Sequence, residues 1–131
     1  MIKNIIYGVL ILALIAYIAY SRGWIFANFK TISASESLQM IEQGAILLDV
    51  RTLAENKVEH IEDSILIPLH ELEATISKLQ AYKDKDIIVY CRSGNRSVSA
   101  SRILASHGYR PYNMRGGIIE WNMSGYSVIK N

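Results

Sequence analysis

Two patterns of apolar residues divide the chain. From Asn4 to Ser21, "NIIYGVLILALIAYIAYS" runs without a charge and is apolar on every face. At ~18 residues it reaches the lower limit for a helix that crosses a bilayer. A surface helix would instead alternate apolar and charged positions with a 3.6-residue period. Tyr17, Tyr20 and Trp24 gather toward its C-terminal end, where amphipathic aromatics favour the headgroup region. This stretch predicts a transmembrane anchor over residues 1–22, followed by a linker over 23–29. Two other readings compete. A cleavable signal peptide has a shorter apolar core of roughly 7–15 residues, and Ala19-Tyr20-Ser21 makes a weak small-x-small cleavage site. A buried core helix is disfavoured because the remaining domain closes without it.

From residue 30 onward short apolar runs alternate with amphipathic segments. "RGWIFANFKTI" reads as a connector entering a first strand. "SASESLQMIEQG" carries serine N-cap candidates and ends in Gly44, a good residue to follow a helix. "AILLDV" is continuously apolar up to Asp49, as in a strand buried on both faces. "SILIPL" is a shorter strand closed by Pro68. "HELEATISKLQAY" has helical spacing at Leu72, Ile76 and Leu79 and predicts one helix. "DIIVYC" is a second buried strand, "NRSVSASRILASHG" a helix ended by Gly108, "RPYNMRGG" a last strand and turn, and "IIEWNMSGY" a terminal helix stopped by Gly125. Strands alternating with helices predict an α/β domain over 30–131, with a mostly parallel central sheet between two helical layers.

Charge adds one restriction. The chain of 131 residues holds 14 basic and 12 acidic side chains, and Lys3 and Arg22 at the front account for the surplus. The remainder is neutral without a Lys/Arg run, which argues against a nucleic-acid partner. A single cysteine excludes both an internal disulfide and paired-cysteine metal binding, and no His/Asp/Glu cluster has metal-ligand spacing. Neither a metal nor a cofactor is expected. A free thiol fits a reducing compartment, so the soluble domain is expected on the cytoplasmic side of a single-pass anchor. Lys3 and the terminal amine against Arg22 and Lys30 leave the orientation nearly balanced.

That cysteine, Cys91, sits at the carboxyl end of a predicted strand, where ligands bind in open parallel sheets. The segment "CRSGNRS" follows. Gly94 permits a turn that a side chain would obstruct, and amides from Arg92 to Ser97 are then free to point inward as an anion-binding nest at a helix start. A cysteine at the mouth of such a nest gains thiolate character from the helix end and neighbouring cations. Arg92 and Arg96 add charge where an anion approaches; Ser93 and Ser97 add hydroxyl donors, and Asn95 completes the candidate substrate-binding loop. A packed, inert thiol would explain Cys91 alone but not the two arginines, glycine and hydroxyls beside it. Spacing separates two enzyme classes. Cysteine phosphatases and arsenate reductases carry Cys-x5-Arg, whereas here the residue six after Cys91 is Ser97 and Arg96 stands at five.

The segment "CRSGNRS" resembles the active-site loop of rhodaneses. Three further segments are similar to that family in matching order: "AILLDVRT", followed by Glu55; "HIEDSILIP"; and "MRGGIIEW". The resemblance spans about residues 30–127. It departs at Glu59 and at Glu62-Asp63-Ser64, where members carry Gly before the His and Pro-Gly-Ala after His-Ile. The resemblance implies a rhodanese-like fold and sulfur transfer in two displacements. The Cys91 thiolate takes sulfur from a small anionic donor such as thiosulfate, and a thiol, cyanide or protein cysteine accepts it. Arg92 and Arg96 would orient the donor. A membrane-tethered relay or interaction module is the non-enzymatic alternative, and a cysteine phosphatase or arsenate reductase the second enzymatic one.

Other polar residues read as structural. Asp49 and Arg51 are expected as a supporting pair near the loop, His60 as a hydrogen-bonded structural histidine, and His107 as a partner of the helix end. His70 is expected in solvent, Trp121 in packing, and Glu55 and Glu120 as surface charges.

Overall fold

The computed structural model describes residues 1–131. The first helix, α1 (Ile2–Ser21), buries none of its residues against the rest of the protein. Its mean hydropathy of 2.1 makes it long and apolar enough to cross a membrane. Its end is closed by backbone bonds from Arg22, Gly23 and Trp24 to the carbonyls of Ile18, Tyr20 and Ala19.

Five strands then form one wholly parallel sheet in the order β1-β6-β5-β2-β4. These are β1 (Lys30–Ile32), β2 (Ile46–Asp49), β4 (Ile65–Leu66), β5 (Asp86–Tyr90) and β6 (Arg110–Met114). Every carboxyl end therefore lies on one edge of the domain. The expected sheet between two layers is present. Strand alternation deals residues to opposite faces. Ile87, Val89 and Cys91 join Leu48, Leu72, Leu79 and Leu104 in one core. Ile88 and Tyr90 join Ile32, Met114 and Trp121 in the other. The first core is roofed by α4 (Leu69–Thr75), the 3₁₀ segment Ile76–Tyr82 and α5 (Asn95–Ser106). The second is covered by α2 (Ala34–Glu42) and α6 (Gly117–Met123).

Local signals set several boundaries. Ser33 accepts the Glu36 amide while the Glu36 carboxylate accepts the Ser33 amide, a reciprocal cap that starts α2. The same box recurs between Thr52 and Glu55 at the start of α3 (Leu53–Val58). The structure differs from the sequence pattern in two places. The single helix expected over residues 70–82 breaks at Ile76 into α4 and the 3₁₀ segment; its spacing survives because Leu72 and Leu79 both enter the core. A helix, α3, and a small antiparallel pair, β3 (Glu59–His60) with β7 (Ile129–Lys130), occupy segments that carry no apolar periodicity.

The β6–α6 turn reaches across to the cysteine loop. Ile118 and Ile119 donate their amides to the carbonyls of Cys91 and Arg92 at 2.9 and 3.2 Å. This approach requires glycine at position 117. A Cβ there would lie 2.6 Å from the carbonyl carbon and oxygen of Arg92 and closer still to the carbonyl oxygen of Cys91. At Gly116 the obstacle is only the flexible side chain of Glu120. Both glycines have positive φ, so alanine at either costs about 1–2 kcal/mol in backbone strain. Gly117→Ala is expected to cost distinctly more than Gly116→Ala, since backbone atoms of the loop must shift; urea unfolding midpoints of the two variants measure the difference.

Candidate active site

Cys91 follows β5 directly, and alternation along that strand turns its side chain toward α5. Its sulfur accepts the amide of Gly94 at 3.1 Å and that of Ser97 at 3.4 Å. Gly94 stands at the N-cap of α5 with φ of 106°, the left-handed conformation that lets the chain turn back over the sulfur. The two amides and the start of α5 together stabilise negative charge on Sγ. Cys91 is only 1% exposed, so the sulfur occupies the floor of the nest and not its mouth. Of the amides from Arg92 to Ser97, those of Gly94 and Ser97 are the ones that meet it.

A chain of side chains continues from the sulfur. The Cys91 thiol lies 3.5 Å from the Ser97 hydroxyl, which donates to Asn113 Oδ1 at 2.5 Å. All three residues are buried. Asn113 is absent from the sequence-derived site. It lies in β6, in register with Val89, and no local motif marks it.

The two loop arginines are used differently. Arg96 donates through both terminal nitrogens to Glu55, at 2.6 and 2.8 Å. Glu55 is thus a clamp between α3 and the first turn of α5, and the surface role expected for it is corrected. The bonds from Arg96, aided by the Thr52 cap, pull the Glu55 carboxyl down to about 2. The same bonds hold Arg96 above its usual range. Arg92 is exposed and forms neither an ion pair nor a side-chain hydrogen bond, and so stands as the free cation of the loop. Ser93 and Asn95 are exposed on the rim.

Beneath the loop lies a buried polar hub. Asp49, fully buried, accepts from the Arg51 amide (2.9 Å), Arg51 Nε (3.0 Å) and Arg51 NH2 (2.8 Å). It also accepts from Asn56 Nδ2 (3.0 Å) and the Tyr90 hydroxyl (3.1 Å). Arg51 reaches on to the Glu59 carbonyl at 2.8 Å. Burial works against the charge on Arg51, but the bonds to Asp49 outweigh it and raise its pKa. Tyr90, pushed up to about 12 by burial and by the Asp49 charge, stays a neutral phenol and accepts the Ile61 amide. His60 contacts the Asn56 carbonyl through Nδ1 at 3.2 Å, and His107 the Ile103 carbonyl at 2.8 Å in the last turn of α5. His70 is exposed, 3.8 Å from Glu71. Trp121 is buried, edge-on to Tyr126. Glu120, half-buried, folds over Gly116.

A parallel α/β domain with a cysteine cradled by backbone amides at a strand's carboxyl end has the architecture expected of a rhodanese-like fold, and the comparisons agree. The profile of the rhodanese-like domain family matches residues 33–124; the chain belongs to that family. It is 39% identical over 88 residues to a sulfurtransferase of Allochromatium vinosum, covering 66% of this chain and 80% of that protein. It is 36% identical over 95 residues to thiosulfate sulfurtransferase GlpE of Pseudomonas savastanoi pv. phaseolicola, covering 72% and 88%. A rhodanese-related protein from Thermoplasma volcanium superposes with a TM-score of 0.72 at 34% identity, over 77% of this chain and 98% of that one. These relatives group the chain with rhodanese-type sulfurtransferases.

Two outcomes follow from the charges around the loop. Asp49→Ala strips a buried guanidinium of its counter-charge and is expected to cost about 3–5 kcal/mol, measured by chemical denaturation. Glu55 has a folded pKa below its ordinary 4.5, so its contribution is complete above about pH 4.5 and drains away as the pH falls toward 2. Glu55→Gln should therefore lose about 1 kcal/mol at neutral pH and show a shallower fall in melting temperature than the parent across that acidic window.

Proposed function

We propose that this protein moves sulfane sulfur on Cys91, from thiosulfate or a persulfide donor to a thiophilic acceptor. The observation that carries the reading is the convergence of the Gly94 and Ser97 amides on Cys91 Sγ at 3.1 and 3.4 Å. In the first step the Cys91 thiolate attacks the outer sulfur of thiosulfate. A new S–S bond forms as the old one breaks, and sulfite leaves with the electron pair. Cysteine persulfide remains as an anion, the charge that preorganised amide donors stabilise without reorganising. In the second step an acceptor thiolate or cyanide attacks the terminal sulfur, and the Cys91 thiolate departs. Arg92 attracts the anionic donor from the rim, while Asn113 holds the Ser97 hydroxyl beside the sulfur.

The cysteine phosphatase reading loses ground on one feature. The arginine that would close an oxyanion cradle is tied to Glu55, and the sixth position after Cys91 is Ser97, bonded to Asn113. The apolar, unburied α1 supports an anchored protein, and the unpaired thiol supports a cytoplasmic position for the domain.

The test uses the full chain in a neutral detergent. Incubated with thiosulfate, the protein should gain the mass of one sulfur atom and form thiocyanate on addition of cyanide. Cys91→Ser should lose both. Absence of the adduct on the parent, or aryl phosphate turnover that depends on Cys91, would replace the sulfurtransferase reading.

A further inference from the structure

The rim of the Cys91 loop borders a cleft of about 350 Å³ that the domain does not build alone. Ser93 and Asn95 form one side, Asn113 and Arg115 another, and the chain just after α1, through Arg22 and Trp24, closes the third. No carboxylate lines it. Neither Arg22 nor Arg115 makes an ion pair or a side-chain hydrogen bond. Glu36, the carboxylate that feels Arg115, is committed to the cap at Ser33. A cleft lined by two unpaired arginines together with hydroxyl and amide side chains suits an anion with more than one charge.

The wall contributed by the connector is held in place by α5. Arg102 donates to the carbonyls of Tyr20 (2.7 Å), Ile25 (3.1 Å) and Phe26, and stacks 3.8 Å over the Tyr20 ring. Gly23, at φ of 74°, lets the connector lie against Phe29 and Val98; a Cβ would meet them at 3.0 and 3.4 Å. Asn113 ties the cleft to the reacting centre, because it also holds Ser97, whose amide and hydroxyl touch the sulfur.

We infer that this cleft is a binding subsite for a divalent sulfur oxyanion, with Arg22 and Arg115 as its specificity-determining residues. The inference rests on the sulfurtransferase reading for its ligand class. Arg22 and Trp24 lie outside residues 33–124, the part matched by the family, so the subsite belongs to the junction of α1 with the domain. Lipid phosphate is the other source of an anion at this position, since Arg22 directly follows α1.

Calorimetric titration of thiosulfate into full-length Cys91→Ser protein in neutral-detergent micelles measures binding without turnover. Arg22→Gln and Arg115→Gln on that background should each weaken binding about tenfold, the loss of one charge-assisted contact. On the Cys91 protein the same changes should raise the thiosulfate concentration giving half-maximal sulfur loading by a similar factor, leaving the saturated rate unchanged. Unchanged affinity in both variants would overturn the subsite. So would an arginine effect confined to vesicles containing phosphatidylserine, which would assign the cleft to lipid phosphate. A parent protein that binds thiosulfate through the arginines yet never loads sulfur would sink the sulfurtransferase reading and leave the subsite standing.

Discussion

The position of the Cys91 sulfur depends on one buried carboxylate. Asp49 has no access to water and is neutralised by Arg51, with Asn56 and Tyr90 completing its bonds. Removing a partner from such a buried charge leaves it uncompensated and is strongly destabilising. The partners come from the end of β2, from α3 and from β5, so the hub locks those three segments at the carboxyl edge of the sheet. Tyr90 matters most for the site. Its hydroxyl is pinned on one face of β5, and the next residue, Cys91, is thereby directed to the other face, beneath α5. The hub touches no sulfur, yet it sets which way the sulfur points.

How much of this was legible in the sequence follows from the range of each signal. Parallel strands buried on both faces read as continuous apolar runs, which is why β2 and β5 stand out and the layered fold could be inferred. The cysteine loop is local too: glycine, serine and the cysteine that they surround fall within seven positions. Glu55 was half legible. Its spacing from Thr52 is that of a capping box, readable in four residues, whereas its pairing with Arg96 spans 41 positions and needs the fold. Asn113 lies inside a strand among apolar and aromatic neighbours, and only the register of β6 on β5 brings it to Ser97. The helix α3 and the β3–β7 pair are too short for periodicity to show. The end of α1 met the domain through Arg102, a contact across 82 positions that no spacing announces.

Formal charge misleads about the loop. Three arginines lie in or under it, but Arg51 is neutralised by Asp49 and Arg96 by Glu55. The positive potential at the sulfur therefore comes from oriented amides, with Arg92 alone at the rim. Amides at 3.1 and 3.4 Å suit a single soft anionic atom. Arg96, the loop's other arginine, is engaged by Glu55 through both terminal nitrogens. That pairing fixes the first turn of α5 against α3.

One helix carries both the cysteine loop and the junction with α1. Gly94 caps α5, and Arg102 grips the end of α1 from seven residues beyond Asn95, about 10 Å along the axis. A hydrogen-bonded helix of two turns transmits position with little compliance, so the loop and the junction behave as parts of one body. The connector bonds to Arg102 through three carbonyls and packs on Val98, leaving it little freedom as a linker. An apolar helix joined to its domain in this way has a set position on it. It fixes which edge of the sheet lies beside α1, and that edge is the one bearing the cysteine.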